Sequence, residues 1–506
     1  MTQEAILRKI EELNEADNTR EIVEFIESLS DGEKTPVVLC ELARAYNNLA
    51  AFENPNNTDT ELLKKSVSIM ESIENQFPEN NHLLNYRMGY ALFYLDRVGE
   101  ALERFQTALI QRPDDADTKE FIKRCLDRLT LPVFDKNFSQ RVNDGWKKFA
   151  AGEEKLRRLI SENADSDEIT GYCHELLSET FTDCCFEIGF NGEKYDLILS
   201  PEEDKYMLYL FDKFKRHASE SVKEHWNIIL GRQPSNKNSE LAFDGKKFSL
   251  SDVSVRIEQE DRNCTVIGYC EKLTDLFNVN KNKALWCFDL LLDMTLGEIV
   301  NMRYVDSIDL TDKPFDSDDA IPLVRLRDIM KERFGENEDW DSAERFLDTI
   351  TEYELKPHEF AEDEYPTPRL DAFYFFSSIP LLMFEYMNND HYTINKADND
   401  GVAAGFLFFP VHVFEDDENA NRGKKILDFR EELQRYIENK AGDSCVFIGG
   451  AFGLDNCYLD FLAWDIRKVL NAAVDFFAAQ NTVPWAFYQS YRTDVQVLSL
   501  MDREEE

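Results

Sequence analysis

The chain of 506 residues has no CxxC pair, no HExxH, no GxSxG, no Walker loop and no GxGxxG. Each absence removes a class of chemistry. Without paired cysteines, zinc ribbons and fingers have no ligand set. The adjacent Cys184 and Cys185 would point to opposite faces of a strand, which makes them poor co-ligands. Without the other motifs, zincin, serine-hydrolase and phosphate-loop chemistry lack their usual residues. No apolar run approaches the roughly 18 residues that a membrane span needs. The N-terminus, MTQEAILRKIEELNEAD, is an acidic helix former without the apolar core of a signal peptide.

Positive charge is also scarce. Lys and Arg total 57 against 99 Asp and Glu, a formal net charge of −42. Basic pairs such as Lys64–Lys65, Lys147–Lys148, Arg157–Arg158, Lys246–Lys247 and Lys424–Lys425 are scattered and never grow into a stripe. A surface of this sign repels nucleic-acid phosphates, so nucleic acid is not expected as a partner, and the lack of a long apolar run gives the same expectation for a membrane. It favours solubility or a basic protein partner. The ten cysteines read as small buried hydrophobes of a reduced, cytoplasmic protein.

Aromatic residues are plentiful: 37 Phe, 19 Tyr and 6 Trp, within a hydrophobic fraction of 43%. That supplies several cores. At roughly 100–200 residues per domain, the length implies three or four domains.

Residues 1–130 read as helices throughout. Within Asn85–Pro113, Gly89 and Ala101 are small where two helices would cross. Phe105 and Ala108 follow at helical spacing, and Pro113 closes the unit. This order resembles the tetratricopeptide repeat. The family's early aromatic position holds Asn85 instead. A more degenerate copy runs through Leu42, Ala43, Tyr46, Met70, Ile73 and Pro78, with an insertion around AFENPNNTDTELL. The resemblance covers roughly residues 35–130 and implies stacked helix pairs with a ligand-binding concave face. The family's ligand positions map onto Arg44, Asn47, Asn48, Tyr86, Tyr90, Phe93 and Tyr94. An aromatic strip beside an Arg and two amides suits a peptide or protein partner. Packing of the same strip against the chain's own next domain is the alternative.

From Phe134 to Ile160 the spacing of Phe138, Val142, Trp146 and Phe149 predicts one long amphipathic helix. Mixed structure follows. CCFEIGF, a turn at Asn191-Gly192 and KYDLILS predict a hairpin, then a helix and the strand HWNIILGRQ. Near the C-terminus the order recurs as SCVFIGGAFG, CYLDFLAW, the helix DIRKVLNAAVDFFAAQ and PWAFYQSYR. Ile188-Gly189 aligns with Ile448-Gly449 and Trp226 with Trp485, which argues for an internal duplication. The phrases DLILSPEEDK and HWNIILGRQP resemble uncharacterised bacterial tetratricopeptide-repeat proteins; that resemblance implies no activity.

Candidate chemistry is thin. His217 and His225, eight residues apart, read as surface or second-layer residues. Gly449–Gly453 reads as a tight hairpin turn. Asp416, Asp417 and Glu418 would suit a hard cation, though a solvated loop explains them better. Tyr458, Asp460, Trp464 and Asp465 form the most site-like cluster, because Asp460 interrupts an apolar strand.

The expected fold class is α + (α+β). Residues 1–130 form the tetratricopeptide-like module and 131–165 the linking helix. Two duplicated α+β domains containing ββαβ units occupy 166–315 and 316–506. The acidic loops at 309–319, 336–340, 362–368 and 415–421 read as linkers or hairpin tips. The functional expectation is a cytoplasmic interaction protein with an acidic platform, in one version immunity-like towards a basic protein. It has no cofactor and no metal. A carboxylate-dependent hydrolase in the C-terminal α+β domain is one rival, and a self-assembly module the other.

Overall fold

The computed structural model describes residues 1–53, 58–260, 263–316, 320–335, 339–358, 367–416 and 421–501. The chain forms two compact units. The first comprises 1–139 together with 352–506; the second is 140–351. The expected boundary at 130/131 therefore falls inside the first unit, and the one at 315/316 inside the second.

The first unit begins with seven helices: α1 (Gln3–Glu15), α2 (Thr19–Glu27), α3 (Pro36–Asn47), α4 (Thr60–Ile73), α5 (His82–Tyr94), α6 (Val98–Gln111) and α7 (Ala116–Thr130). Side-chain oxygens of Thr2, Asp59, Asn81 and Asp115 accept from backbone N–H groups in the first turns of α1, α4, α5 and α7. Gly89 permits the close crossing of α5 and α6: a Cβ there would lie 3.0 Å from the Phe105 ring. Ala101, Phe105 and Ala108 are fully buried at that crossing. The segment after α3 closes as a wide helical turn, Asn48–Phe52. Part of the inserted stretch lies outside the described residues.

The remainder of this unit is built on a seven-stranded sheet. Its order is Thr351–Glu354, Ala372–Ser377, Cys445–Gly453, Asn456–Ala463, Ala403–Pro410, Phe487–Ser490, Leu498–Ser499. Alternation divides the central strands. Leu407, Phe409, Leu459 and Phe461 pack with Leu433, Ile437, Val469 and Phe477 of the helices Arg422–Ala441 and Ile466–Ala479. Phe406, Phe408, Tyr458 and Asp460 alternate with them. Ala403–Pro410 is buried along its whole length.

The helical module leans on the C-terminal segment of this same unit. Asn395 and Asn399 donate to Glu103 and Glu100 of α6 at 2.8 and 2.7 Å, and Ser490 Oγ donates to Leu129 O at 3.1 Å. Val495 joins the core of α3–α7.

In the second unit, Cys185–Phe190 pairs antiparallel with Tyr195–Ser200, which pairs parallel with Trp226–Leu230. Gly192 turns the hairpin with φ +100°. A four-stranded sheet is ordered Val305–Leu310, Asn263–Tyr269, Ser254–Glu260, Ile321–Pro322. It packs on the helix Lys281–Leu296 through Val255, Val266, Phe288 and Leu292. Gly268 admits the Phe288 ring, which would lie 2.5 Å from a Cβ there.

Strand order separates the two ββαβ segments. Trp226–Leu230 lies directly beside Tyr195–Ser200, whereas Phe487–Ser490 pairs with Ala403–Pro410, which intervenes before Asn456–Ala463. The two segments lie in separate sheets. The glycine run near the C-terminus is also corrected: Gly449–Gly453 is strand, not turn. Close backbone approach demands these glycines. A Cβ on Gly449 (φ +149°) would lie 2.0 Å from Phe376 O, and one on Gly450 2.3 Å from Tyr458 O.

Candidate functional site

The seven residues expected on the repeat face do not form one accessible surface. Phe93 is 4% exposed and Asn47 3%. Asn47 Nδ2 donates to Arg87 O at 2.9 Å, tying α3 to α5. Arg44 is held by Glu41 at 2.8 Å, and the same carboxylate binds Arg87 at 2.8 Å. Phe121 of α7 meets Tyr86, Tyr90 and Phe93 at ring distances of 6.0, 5.5 and 5.4 Å. Arg124 lies 4.6 Å over the Phe93 ring. Phe93 and Asn47 are thus packing residues, because α7 covers one and helix pairing consumes the other. Tyr86, Tyr90 and Tyr94 stay half-buried along α5, Arg44 half-buried on α3 and Asn48 half-buried in the turn just after it. Burial pushes the Tyr86 hydroxyl up to about 12, with Asp117 and Asp115 adding to it.

Of the C-terminal cluster, Tyr458 and Asp460 share a closed network. Arg369 donates to both oxygens of Asp460 at 2.5 and 3.0 Å. Tyr458 Oη accepts from Arg369 N at 2.8 Å and donates to Asp371 at 2.5 Å. Asp371 also accepts from Asp455 N and Asn456 N, both at 3.0 Å. Arg369 and Asp460 are wholly buried, and burial followed by Asp371 pushes the Tyr458 hydroxyl far up. Trp464 packs on Phe138 at 5.4 Å, and Asp465 caps the Ile466–Ala479 helix. Asp417 and Glu418 lie outside the described residues. Among the described residues, no group of three or more His, Cys, Asp or Glu is placed to hold a metal ion.

A third cluster, absent from the sequence-based expectations, lies in the second unit. It sits at the carboxyl ends of the parallel pair Tyr195–Ser200 and Trp226–Leu230, where open α/β sheets commonly bind ligands. After Ser200 the chain turns through Glu202 and Glu203, both left-handed at φ +49° and +65°. After Leu230 it passes through Gly231 (φ +76°) to Arg232. Asp289 and Asp293 stand one helical turn apart on Lys281–Leu296, and Glu298 and Asn301 follow on Glu298–Tyr304. Glu298 is the staple. Its carboxylate accepts from Ser200 Oγ, Glu202 N and Arg232 N, each at 2.8 Å.

Charge here is unbalanced. Arg232 reaches Glu187, Glu202 and Asp293 at 3.2, 3.1 and 3.4 Å. Asn301 Nδ2 donates to Asp289 and Asp293 at 2.9 Å each. Glu203 stands on the exposed rim, yet its hydrogen bond to Asp289, then burial, pushes its carboxyl up to about 7. Burial, then Asp289 and Glu298, push Asp293 up to about 8. Cys185 beside Glu202 is pushed up to about 11, chiefly by burial, so it remains a thiol at neutral pH.

Comparisons with family models, curated proteins and solved structures found no match. The functional reading therefore rests on geometry. The two phrases that carried the bacterial resemblance supply Glu202, Glu203 and Arg232. The signal was visible in part: two strands each end in a sharp turn followed by charge. Asp289, Asp293 and Asn301 gave none, because a chain this acidic offers carboxylates at every helical spacing.

Proposed function

We propose that the protein is a cytoplasmic interaction protein that holds a basic protein or peptide on an acidic surface, with its N-terminal helices acting as a tetratricopeptide-like docking module. The observation that carries this reading is the row Tyr86, Tyr90 and Tyr94. These side chains stay half-buried on α5, backed by the buried Phe93, Phe105 and Phe121. Rigid aromatic rows with polar tips suit protein recognition. The net charge of −42 favours a basic partner, and the immunity-like version rests on that charge alone. Gly89 and Ala101 at the α5–α6 crossing support the repeat reading. A shared origin of the two ββαβ segments is supported by strands that both begin at cysteine and place Ile-Gly at the same offset: Cys185 with Ile188-Gly189, and Cys445 with Ile448-Gly449.

The hydrolase reading has no comparable support, since Asp460 and Tyr458 are sealed and satisfied within the protein. A photo-crosslinking residue placed at Tyr94 in native cells tests the proposal. A basic protein crosslinked there should bind the purified chain, and should lose about tenfold or more in affinity to Tyr90→Ala/Tyr94→Ala. Crosslinking only to a second copy of the chain would favour self-assembly instead.

A further inference from the structure

The carboxylate cluster of the second unit goes beyond that reading and does not depend on the tyrosine row. Acidic groups crowd many protein surfaces without purpose, so the cluster alone means little. Its floor is different. Asn301 is 4% exposed, and its amide points between Asp289 and Asp293. Among the described residues nothing donates to Asn301 Oδ1. A buried acceptor left without a donor costs about 1–3 kcal/mol. Around it stand Asp289 and Asp293, with Glu202 and Glu203 on the exposed rim, and Arg232 as their cation. The floor thus offers acceptors and negative charge, and it lies at the carboxyl ends of parallel strands.

We infer that this cluster is a binding site for a donor-rich organic cation, a guanidinium or ammonium group, that donates to the carboxylates of Glu203, Asp289 and Asp293 and to Asn301 Oδ1. Such groups carry several N–H donors and no acceptor. They meet every unmet need of the site at once, whereas a metal ion lacks the clustered ligands it requires. Glu203 and Asp293, both raised, hold protons near neutral pH that an incoming cation displaces, so binding releases protons. The group arrives either on a small molecule or as a side chain of a basic protein.

The test is calorimetric titration of the full chain with L-arginine, spermidine and a blocked Gly-Arg-Gly peptide. Each is run at about pH 6 and about pH 8.5, in buffers of different ionisation enthalpy. Affinity for at least one probe should rise about tenfold or more with pH, with proton release at the lower pH. Asn301→Ala should weaken binding about tenfold. Glu203→Gln, a change on the exposed rim that leaves the fold intact by circular dichroism, should weaken it and flatten the pH dependence. Tighter binding of the peptide than of free arginine assigns the cation to a protein partner; the reverse assigns it to a small molecule. No heat from any probe at either pH overturns the inference. So does equal affinity in wild type and Glu203→Gln, or binding of Mg²⁺ or Ca²⁺ with no response to the organic cations.

Discussion

The two units treat buried charge in opposite ways. In the first, the two most deeply buried arginines each meet a carboxylate, while Arg430 is held by the carbonyls of Gly449 and Tyr458. Arg369 grips Asp460 with two hydrogen bonds, and Arg492 binds Asp398 at 2.8 Å and Asn395 at 2.5 Å. In the second, Arg232 faces more carboxylates than it can neutralise, and the carboxyls of Glu203 and Asp293 are held well above their ordinary range. A matched and sealed pair fixes strand and helix positions and offers nothing to solvent. An unmatched and open cluster leaves interaction energy unsatisfied, which a ligand can satisfy. Perturbed carboxyls alone would not separate the two cases, because Asp398 is also pushed up, to about 6, by burial against the pull of Arg492. Access and charge balance separate them.

The contrast predicts a ranking of effects. Arg369→Met should cost about 3–5 kcal/mol in urea unfolding, because Asp460 is left charged and buried. Adding Asp460→Leu should recover much of that loss; no recovery would mean the pair is not the unit of stability. Next comes Gly99→Ala. A Cβ there would lie 1.9 Å from Asn395 Oδ1 and 2.5 Å from Arg492 Nη2. Overpacking of this kind costs about 1–3 kcal/mol, more than the helix propensity regained. A neutral result would show that α6 can shift away from the Tyr392–Asp400 helix.

A smaller effect of opposite sign is expected in the second unit. The folded pKa of Asp293 is raised, so its folded state binds the extra proton. Stability is then greatest near pH 4 and falls as pH rises towards about 8. Asp293→Asn should remove that fall and raise stability by on the order of 1–2 kcal/mol near pH 8, with little change near pH 4. Thermal unfolding at the two pH values checks it. A variant less stable at both would mean that the Arg232 contact outweighs the burial of charge.

Much of this architecture was legible in sequence, and the failures have physical causes. Amphipathic spacing of Phe138, Val142, Trp146 and Phe149 placed the long helix Phe138–Ser161, and the Asn191-Gly192 turn placed the first hairpin. The strand Ala403–Pro410 escaped notice because it is buried on both faces and shows no alternation of period two. Its insertion between Asn456–Ala463 and Phe487–Ser490 is what separates the two ββαβ segments. Pairing across such distances leaves no local mark. Phe93 read as a ligand residue because its position on α5 is visible in sequence, while Phe121 packing over it is not. Asp460 stood out correctly as anomalous in an apolar strand, but its partner lies 91 residues away at Arg369.

The most direct measurement is a carboxyl-detected NMR titration of Glu203 and Asp293 in the intact protein. Midpoints near 7 for Glu203 and near 8 for Asp293 would establish a cluster that holds protons at neutral pH in place of a cation. Titration of both near the ordinary carboxylate value of about 4 would contradict the account, because neither group would then hold a proton at neutral pH.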